Sequence, residues 1–164
     1  MTEKKEPEMK VSDVMIQDII TVKRSTTLRE LIKLFCKFHS FPLVPVIDKD
    51  NLLIGVVSFR NLIETFRTTS HDIIKTIPFI DDDHRDIFDV DIPPEIGELC
   101  IVDDFMQAKF IAIDKDSSID EAYRIMLLHQ YEKLPVVDSD KKIVGMIGEF
   151  DILLAIFKEK GVIK

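Results

Sequence analysis

The segment Ser58–Asn61 follows an apolar run that ends at Val57, and its residue types suit the binding of a polar ligand. A helix that starts at Ser58 presents unpaired backbone N–H groups and the positive end of its dipole, which favour a phosphate group. Arg60 adds a positive charge at the same turn. The polar side chain of Asn61 lies one helical turn further on the same side. The sequence therefore predicts that this corner binds a phosphorylated ligand or stays empty.

A second corner of the same kind follows Ile147, with Gly148, Glu149 and Asp151 in the equivalent positions. The Asp151 carboxylate can accept hydrogen bonds from a pair of hydroxyl groups. Glu149 places a negative charge at the helix start, which disfavours a phosphate group. We therefore expect an uncharged, hydroxyl-bearing ligand group here. Helix capping is the alternative role of both Ser58 and Asp151, because both residue types satisfy backbone N–H groups at helix starts.

A third group of polar residues is the acidic cluster, defined as Asp81, Asp82, Asp83, His84 and Asp86. Clustered carboxylates can bind Mg²⁺ or another hard cation, and a histidine can join a transition-metal site. The spacing matches no calcium-binding loop, so we retain these residues only as weak metal candidates. A solvated turn and docking to a basic partner surface are the alternatives. Metal-assisted hydrolysis is a further hypothesis, but no nucleophile and base stand at catalytic spacing, and we expect no enzyme activity.

The composition restricts the class of protein that can hold these residues. The net charge of −8 over 164 residues has the wrong sign for binding nucleic-acid backbones. Cys36 and Cys100 lie far apart in the sequence, which argues against a disulfide framework or a thiolate zinc site. Cys36 is near the apolar stripe of a predicted helix and is expected to be buried. No apolar run reaches the ~18 residues that cross a bilayer, and the N-terminus lacks a signal-peptide core, so we expect a cytoplasmic protein.

The acidity belongs mainly to one connecting segment. Residues 81–104 contain ten acidic residues and one base, Arg85, a balance of −9, so the rest of the chain sums to +1. We define residues 67–100 as the acidic connector. A short helix is expected near 70–77, and the apolar residues of the connector suggest that it packs on another surface, where it covers a cleft mouth or extends a dimer interface.

Two parts of the chain repeat each other. Pro45, Val46, Asp48, Asp50 and Gly55 recur ninety positions later as Pro135, Val136, Asp138, Asp140 and Gly145, and Met15 recurs as Met106 at a spacing of 91. Each copy has the hydrophobic pattern of an extended segment, a helix, a hairpin and a second helix. The two glycines are expected to serve strand packing or a tight bend, and the two prolines to mark edge strands or bulges.

The elements of the two copies are predicted at equivalent positions. We expect extended residues at 19–22 and 110–113, capping boxes at Thr27–Glu30 and Ser118–Glu121, strands at 43–47, 52–57, 134–137 and 143–147, and closing helices at 58–66 and 148–158. The predicted class is α/β (α+β), with two β-α-β-β-α repeats at 1–66 and 101–164. Because about 55 residues form only a marginal core, we expect the repeats to pack sheet to sheet with pseudo-twofold symmetry.

The order of motifs, found twice, resembles a tandem pair of CBS domains, the family named after cystathionine β-synthase. The motifs are Val11-Ser-Asp-Val-Met15, Val44-Pro-Val-Ile-Asp48 and Gly55-Val-Val-Ser-Phe-Arg-Asn61, echoed by Asp104-Phe-Met106, Leu134-Pro-Val-Val-Asp138 and Gly145-Met-Ile-Gly-Glu-Phe-Asp151. The resemblance implies a regulatory module that binds AMP, ADP, ATP, adenosine or S-adenosylmethionine between paired repeats. It implies no required cofactor and leaves a role for magnesium open.

The resemblance also implies which residues surround the ligand. They are Ile20, Thr21, Pro45, Val57, Ser58, Arg60 and Asn61 in the first copy, and Phe110, Ile111, Ala112, Pro135, Ile147, Gly148 and Asp151 in the second. The family motif has a hydroxyl residue followed, three positions later, by Asp. The first copy keeps the hydroxyl and the second copy keeps the Asp, so both depart from the pattern. Asn61, which replaces the Asp of the first copy, is expected to be solvated or locally hydrogen-bonded, with contact to a ribose as the alternative.

Two functions remain as expectations. In the first, an adenosyl ligand changes the conformation of a module that is often a homodimer, and the change reaches an unknown regulated protein, such as an enzyme, channel or transporter. In the second, the ligand sites have degenerated and the chain acts as a structural or dimerisation scaffold.

Overall fold

The computed structural model describes residues 8–37, 43–65 and 93–164. Its elements are, in chain order, α1 (Val11–Val14), β1 (Val22–Lys23), α2 (Leu28–Phe35), β2 (Val44–Ile47), β3 (Leu53–Val57), α3 (59–65), α4 (Ile96–Leu99), a 3-10 turn (Val102–Asp104), β4 (Ile113–Asp114), α5 (Ile119–His129), β5 (Lys133–Val137), β6 (Ile143–Gly148) and α6 (Glu149–Glu159). The order β-α-β-β-α occurs twice, which confirms the predicted α/β class.

Each repeat forms a three-stranded sheet, with the strand orders β1-β2-β3 and β4-β5-β6. In the second sheet β4 is parallel to β5, and β5 is antiparallel to β6. The first strand of each sheet begins later than predicted, at Val22 and at Ile113. Within β4 only Ile113 and Asp114 have partners in β5, so the residues before them lie outside the ladder.

Pro45 and Pro135 lie in β2 and β5, the central strands of the two sheets, so the expectation of edge strands is wrong. Pro135 pairs with Met146 of β6, whereas the β4–β5 ladder begins one residue later, at Val136. The missing proline N–H is therefore tolerated in a central strand, because the proline precedes the β4 ladder. The β5–β6 register also shifts between Val136 and Val137, next to the proline, as the bulge alternative predicts.

The hairpin turns of both repeats are closed by an aspartate. One Oδ1 atom of Asp48 accepts hydrogen bonds from the N–H groups of Asp50 and Leu52, at 2.8 and 2.9 Å. Asp138 makes the same two bonds, both at 3.0 Å, with the residues two and four positions later. The repeated aspartates therefore serve turn formation, since this local bonding is what Asp provides in tight turns.

The predicted capping boxes are formed to different degrees. Thr27 Oγ1 accepts from the Glu30 N–H at 3.3 Å, and Glu30 Oε2 accepts from the Thr27 N–H at 2.9 Å. Ser118 Oγ accepts from the Glu121 N–H at 3.1 Å. The described hydrogen bonds at the start of α5 include no reciprocal bond to Glu121, so the second box is only half formed.

The buried stripes of α2 and α5 are narrower than predicted. They consist of Leu28, Leu31 and Phe35 in α2, and of Ile119, Ala122 and Met126 in α5. Ile32, Tyr123 and Gln130, which were expected on these faces, are exposed. Cys36 is exposed as well, so its predicted burial is wrong. It directly follows buried Phe35 and therefore points about 100° away from the stripe. Phe38, also expected on the α2 face, lies outside the described residues.

The described chain forms two compact units, each built from separate segments. The first contains residues 8–21, 47–54 and 109–164, and the second contains 22–37, 43–46, 55–65 and 93–108. In the first unit the N-terminal segment completes the second repeat. Val11 is fully buried in the core formed with α5 and β5, and Ile16 exchanges two backbone hydrogen bonds with Met146, at 2.8 and 2.9 Å.

The second unit contains the equivalent arrangement. The Leu28 N–H donates to the Cys100 carbonyl at 2.8 Å, and Val56 and Gln107 exchange two backbone bonds at 2.8 and 3.1 Å. Residues 100–107, which begin the second repeat in sequence, thus complete the first repeat in space. Val102 is fully buried here, as Val11 is in the other unit.

The repeated Met and Gly residues pack against each other within each unit. A Cβ atom on Gly145 would lie 2.9 Å from Met15 Sδ, and one on Gly55 would lie 3.0 Å from Met106 Sδ. The glycines therefore allow a close approach of the methionine segment to the hairpin strand. This confirms the expected packing role of both glycines.

The described end of the acidic segment is attached to the start of the first repeat. Helix α4 packs on α2, where Arg29 forms an ion pair with Glu98, and Arg24 pairs with Asp103 at 3.5 Å. All four side chains are largely exposed, so these pairs contribute little stability. Residues 93–104 therefore contact the start of the first repeat, whereas the apolar residues on which the packing expectation rested, at 80–92, lie outside the described residues.

Several expectations concern residues outside the described ranges. These include the acidic cluster at 81–86 and the helix expected near 70–77. Within the described residues, no group of three or more His, Cys, Asp or Glu side chains could hold a metal ion. The same part of the chain contains no helix long and apolar enough to cross a membrane.

Candidate functional site

The first corner joins the end of β3 to the start of α3. Ser58 and Asn61 are hydrogen-bonded to each other there: Asn61 Oδ1 accepts from the Ser58 N–H at 2.9 Å and from the Ser58 hydroxyl at 2.7 Å. Asn61 is buried, with 7% of its surface exposed, whereas Ser58 is half-buried. The two predicted polar residues therefore lie together, and their side chains are hydrogen-bonded to each other.

The second corner joins β6 to α6. Asp151 Oδ2 accepts from the Gly148 N–H at 2.7 Å, in the same geometry that Asn61 has with Ser58. The Glu149 N–H donates to the Glu132 carbonyl at 3.1 Å. A Cβ atom on Gly148 would lie 3.1 Å from Lys133 Cγ, so the corner is closely packed on the start of β5.

The backbone N–H groups at these corners differ from the expectation. Those of Ser58, Gly148 and Glu149 all have protein acceptors, so these three are not free to bind a phosphate group. The Ser58 and Gly148 N–H groups are satisfied by the side chain three residues later, which reaches back to the helix start, and the Glu149 N–H is satisfied by the Glu132 carbonyl.

The same carboxylate-to-amide bond occurs away from the two corners. Asp13 Oδ2 accepts from the Lys10 N–H at 3.0 Å, and Asp104 Oδ2 accepts from the Ile101 N–H at 2.9 Å. Capping is therefore an established structural role of Asp151. A capping carboxylate still has acceptor positions left for a ligand, because one N–H uses only one of them.

The remaining predicted residues differ in their exposure. Pro45, Val57, Pro135 and Ile147 are buried, Arg60 is exposed, Ile20 is 38% exposed, and Thr21, Phe110, Ile111 and Ala112 are half-buried. The four buried residues have too little exposed surface to contact a ligand directly, so they can only pack beneath the corner residues. Those at 110–112 belong to the same unit as Asp151, whereas Ile20 and Thr21 belong to the unit that does not contain Ser58.

Sequence analysis did not identify Glu132 and Lys133 as part of the second corner. They lie at the start of β5, before the repeated Pro135, and Glu132 contributes its backbone carbonyl. A backbone acceptor leaves no residue-type pattern, so the sequence offered no sign of this contact.

Comparison with known proteins identifies the two repeats. The family model described as "CBS domain" matches residues 11–68 and 102–158. An uncharacterized protein of Methanocaldococcus jannaschii is 33% identical over 147 residues, covering 90% of this chain and 39% of the relative. The inosine-5'-monophosphate dehydrogenase of Bifidobacterium longum is 30% identical over 139 residues, covering 85% of this chain and 21% of the enzyme. The chain thus spans well under half of these two relatives.

Relatives of more similar length also occur. The chloroplastic CBS domain-containing protein CBSX1 of Arabidopsis thaliana is 28% identical over 148 residues, covering 88% of this chain and 61% of the relative. The crystal structure of CBSX2 in complex with AMP has a TM-score of 0.68 at 26% identity and covers 93% of this chain and 98% of that one.

The cytosolic domain of the Mg²⁺ channel MgtE, solved in complex with ATP, has the same fold, with a TM-score of 0.62 at 21% identity. The matched region covers 92% of this chain and 49% of the MgtE chain. The matched family model, the solved structures and the two β-α-β-β-α repeats agree. The chain belongs to the CBS domain family and carries a tandem pair of the domain.

Proposed function

We propose that this CBS pair is a regulatory module that binds an adenosyl ligand at the Asp151 corner and passes a conformational change to a partner protein. The observation that carries the proposal is the half-buried Asp151 carboxylate, of which one oxygen accepts a single described hydrogen bond, from the Gly148 N–H. The complex of CBSX2 with AMP supports an adenine nucleotide as the ligand class.

The chemistry of the corner favours a ribose over a phosphate group. A carboxylate has about four acceptor positions, so roughly three remain after the bond to Gly148. Two adjacent hydroxyl groups can donate to them. Glu149 is exposed at the first position of α6, and its negative charge repels a phosphate. AMP, ADP, ATP, adenosine and S-adenosylmethionine all present the same diol, which makes the adenosyl group the shared recognition element.

We infer that the module has no catalytic activity of its own and acts as a homodimer inside the cell on a separate or covalently attached protein. Enzymes such as inosine-5'-monophosphate dehydrogenase contain a matching region within a longer chain, which supports this arrangement. The proposed repeats occupy 1–66 and 101–164, joined by the acidic connector at 67–100. The partner is the protein whose activity changes when the module binds its ligand.

The test is titration calorimetry of the whole chain with adenosine, together with the Asp151→Asn variant. Asn at 151 can still accept from the Gly148 N–H, as Asn61 does at the first corner, so the helix start is retained. Loss of charge-assisted bonds to two hydroxyls is expected to weaken binding about 100-fold or more, since two bonds worth about 1.5 kcal/mol each total about 3 kcal/mol.

Asp104→Asn is the matched control, because Asp104 makes the same capping bond away from the corner. Its adenosine affinity is expected to equal that of the unmodified chain. No binding of any adenosyl compound by the unmodified chain would refute the proposal and favour the scaffold function, which the closed Ser58–Asn61 pair supports at the first corner.

A further inference from the structure

The thioether of Met15 lies where the N-terminal segment meets the second repeat. Its Sδ atom would be 2.9 Å from a Cβ atom on Gly145, so the sulfur packs against the backbone of β6. Met15 also packs on the hydrophobic core that contains fully buried Val11. Met15 itself is half-buried, so part of its side chain reaches solvent. An oxidisable side chain near the surface therefore makes the contact that joins two distant segments.

The chain between Met15 and β1 has few described hydrogen bonds to the second repeat. Ile16 exchanges two backbone bonds with Met146, at 2.8 and 2.9 Å. No described hydrogen bond joins residues 17–21 to the second repeat. Residues 9–12, earlier in the segment, make three backbone bonds of their own to that repeat. Release of Met15 would therefore loosen the later half of the segment and leave the earlier half attached.

Oxidation changes the character of the Met15 contact. Hydrogen peroxide converts a thioether to a sulfoxide: a sulfur lone pair attacks one peroxide oxygen and forms the S–O bond, while the O–O bond breaks. The leaving hydroxide takes the proton of the transferred oxygen and becomes water, so the sulfur is oxidised and the peroxide is reduced. The product is polar and favours water over the apolar core on which the thioether packed.

The other methionines of the described residues provide internal comparisons. Met126 is fully buried and Met146 is 8% exposed, so both should react slowly with peroxide. Met106 is half-buried like Met15, and its Sδ atom would be 3.0 Å from a Cβ atom on Gly55 in the other unit. Oxidation of Met106 should therefore act on a different attachment and leave the N-terminal segment in place.

We propose that Met15 is a redox-sensitive attachment: a peroxide converts it to the sulfoxide, which releases residues 15–21 from β6. Methionine sulfoxide reductases return the sulfoxide to the thioether and restore the contact. The released residues include Ile20 and Thr21, so oxidation also displaces two of the residues predicted to surround a ligand.

The test is amide hydrogen exchange of the full chain, measured by NMR before and after treatment with hydrogen peroxide. Dithiothreitol is then added to reverse oxidation of the thiols. The amides of Ile16 and Met146, which form the two bonds, are expected to exchange about tenfold faster or more after oxidation. The amides of Val11 and Ser12 should keep their rates, because residues 9–12 stay attached. Methionine sulfoxide reductases should restore slow exchange at Ile16.

Two variants assign the response to one sulfur. Met15→Leu keeps an apolar side chain of similar volume that peroxide cannot oxidise, so exchange at Ile16 should not change on treatment. Met106→Leu is the matched variant in the other unit and should keep the full response. An undiminished response in Met15→Leu would overturn the proposal.

Mass spectrometry of the unmodified chain gives a result that does not depend on the folding of any variant. Met15 should form its sulfoxide at least tenfold faster than Met126, because only Met15 reaches solvent. Equal rates at the two residues, or oxidation of Met15 without faster exchange at Ile16, would contradict the proposal. None of these measurements uses a ligand, so they are independent of the proposed function.

Discussion

Replacing Gly145 by alanine tests how the N-terminal segment is held against the second repeat. A Cβ atom at this position would lie 2.7 Å from the Ile16 carbonyl oxygen and 2.9 Å from Met15 Sδ. The carbonyl belongs to backbone and cannot rotate away as a side chain can. The segment must therefore move off the strand. This strains the two backbone hydrogen bonds between Ile16 and Met146, which measure 2.8 and 2.9 Å.

The size of the effect follows from two contributions. Overpacking of a close contact costs about 1–3 kcal/mol. Weakening two backbone hydrogen bonds adds up to about 1 kcal/mol for each. We expect Gly145→Ala to reduce the free energy of unfolding by about 3 kcal/mol, which lowers the Tm by roughly 6–12 °C for a chain of this length.

Gly55→Ala is the matched variant in the other unit. Its added Cβ would meet Met106 Sδ at 3.0 Å and the Gln107 carbonyl at 3.1 Å, distances that a small shift can relieve. We expect a loss of about 1 kcal/mol. Urea unfolding followed by circular dichroism measures both values. Equal losses, or a loss below about 1 kcal/mol for Gly145→Ala, would refute the assignment of the backbone contact as the dominant restraint.

Two further predictions concern other attachments of the segments. Val11→Ala should reduce the free energy of unfolding by about 2 kcal/mol, because it removes fully buried methyl groups from the core of the second repeat. Val162→Ala, at a 65% exposed position, is the control and should cost less than about 0.5 kcal/mol in the same assay. Arg29→Gln should reduce the free energy of unfolding by less than about 1 kcal/mol, because the Arg29–Glu98 ion pair is exposed. At about 1 M salt the variant and the unmodified chain should unfold with the same free energy. A larger loss that persists in salt would show that packing on α4 matters more than charge.

The sequence predicted the element order because hydrophobic periodicity and the repeat both carry that information. It also predicted that Thr27 and Ser118 begin helices. The edge strands expected at Pro45 and Pro135 are wrong, because the rule that excludes proline from central strands assumes continuous ladders on both sides, whereas the bulge alternative agrees with the register shift beside Pro135. Because β1 and β4 have only two residues each, the central strands lack a continuous ladder on that side. The burial expected for Cys36 is wrong because the residue that follows buried Phe35 points about 100° away from the buried stripe.

The corners were predicted in position, and the capping alternative for Asp151 is confirmed, whereas the free N–H groups expected to bind a phosphate are not found at Ser58, Gly148 and Glu149. The spacing of Ser58 and Asn61 places them one turn apart, and the structure confirms that they meet. Whether they face a ligand or each other depends on the rotamers at one turn, which sequence spacing does not specify. The Glu132 contact with Glu149 was beyond prediction for another reason, because it uses backbone atoms that every residue has.

Some residue positions are identical in the two copies and others differ, and the contacts that each residue makes explain the difference. Met15 and Gly145 belong to distant segments that must fit together, so a change in either one disturbs a contact across a unit. Ser58 and Asn61 bond only within one helical turn, and Gly148 and Asp151 do the same. Local pairs can change together without moving the sheets. The hydrogen-bonded pairs at the two corners therefore differ in residue type between the copies, whereas the contacts of Met15 with Gly145 and of Met106 with Gly55 are kept.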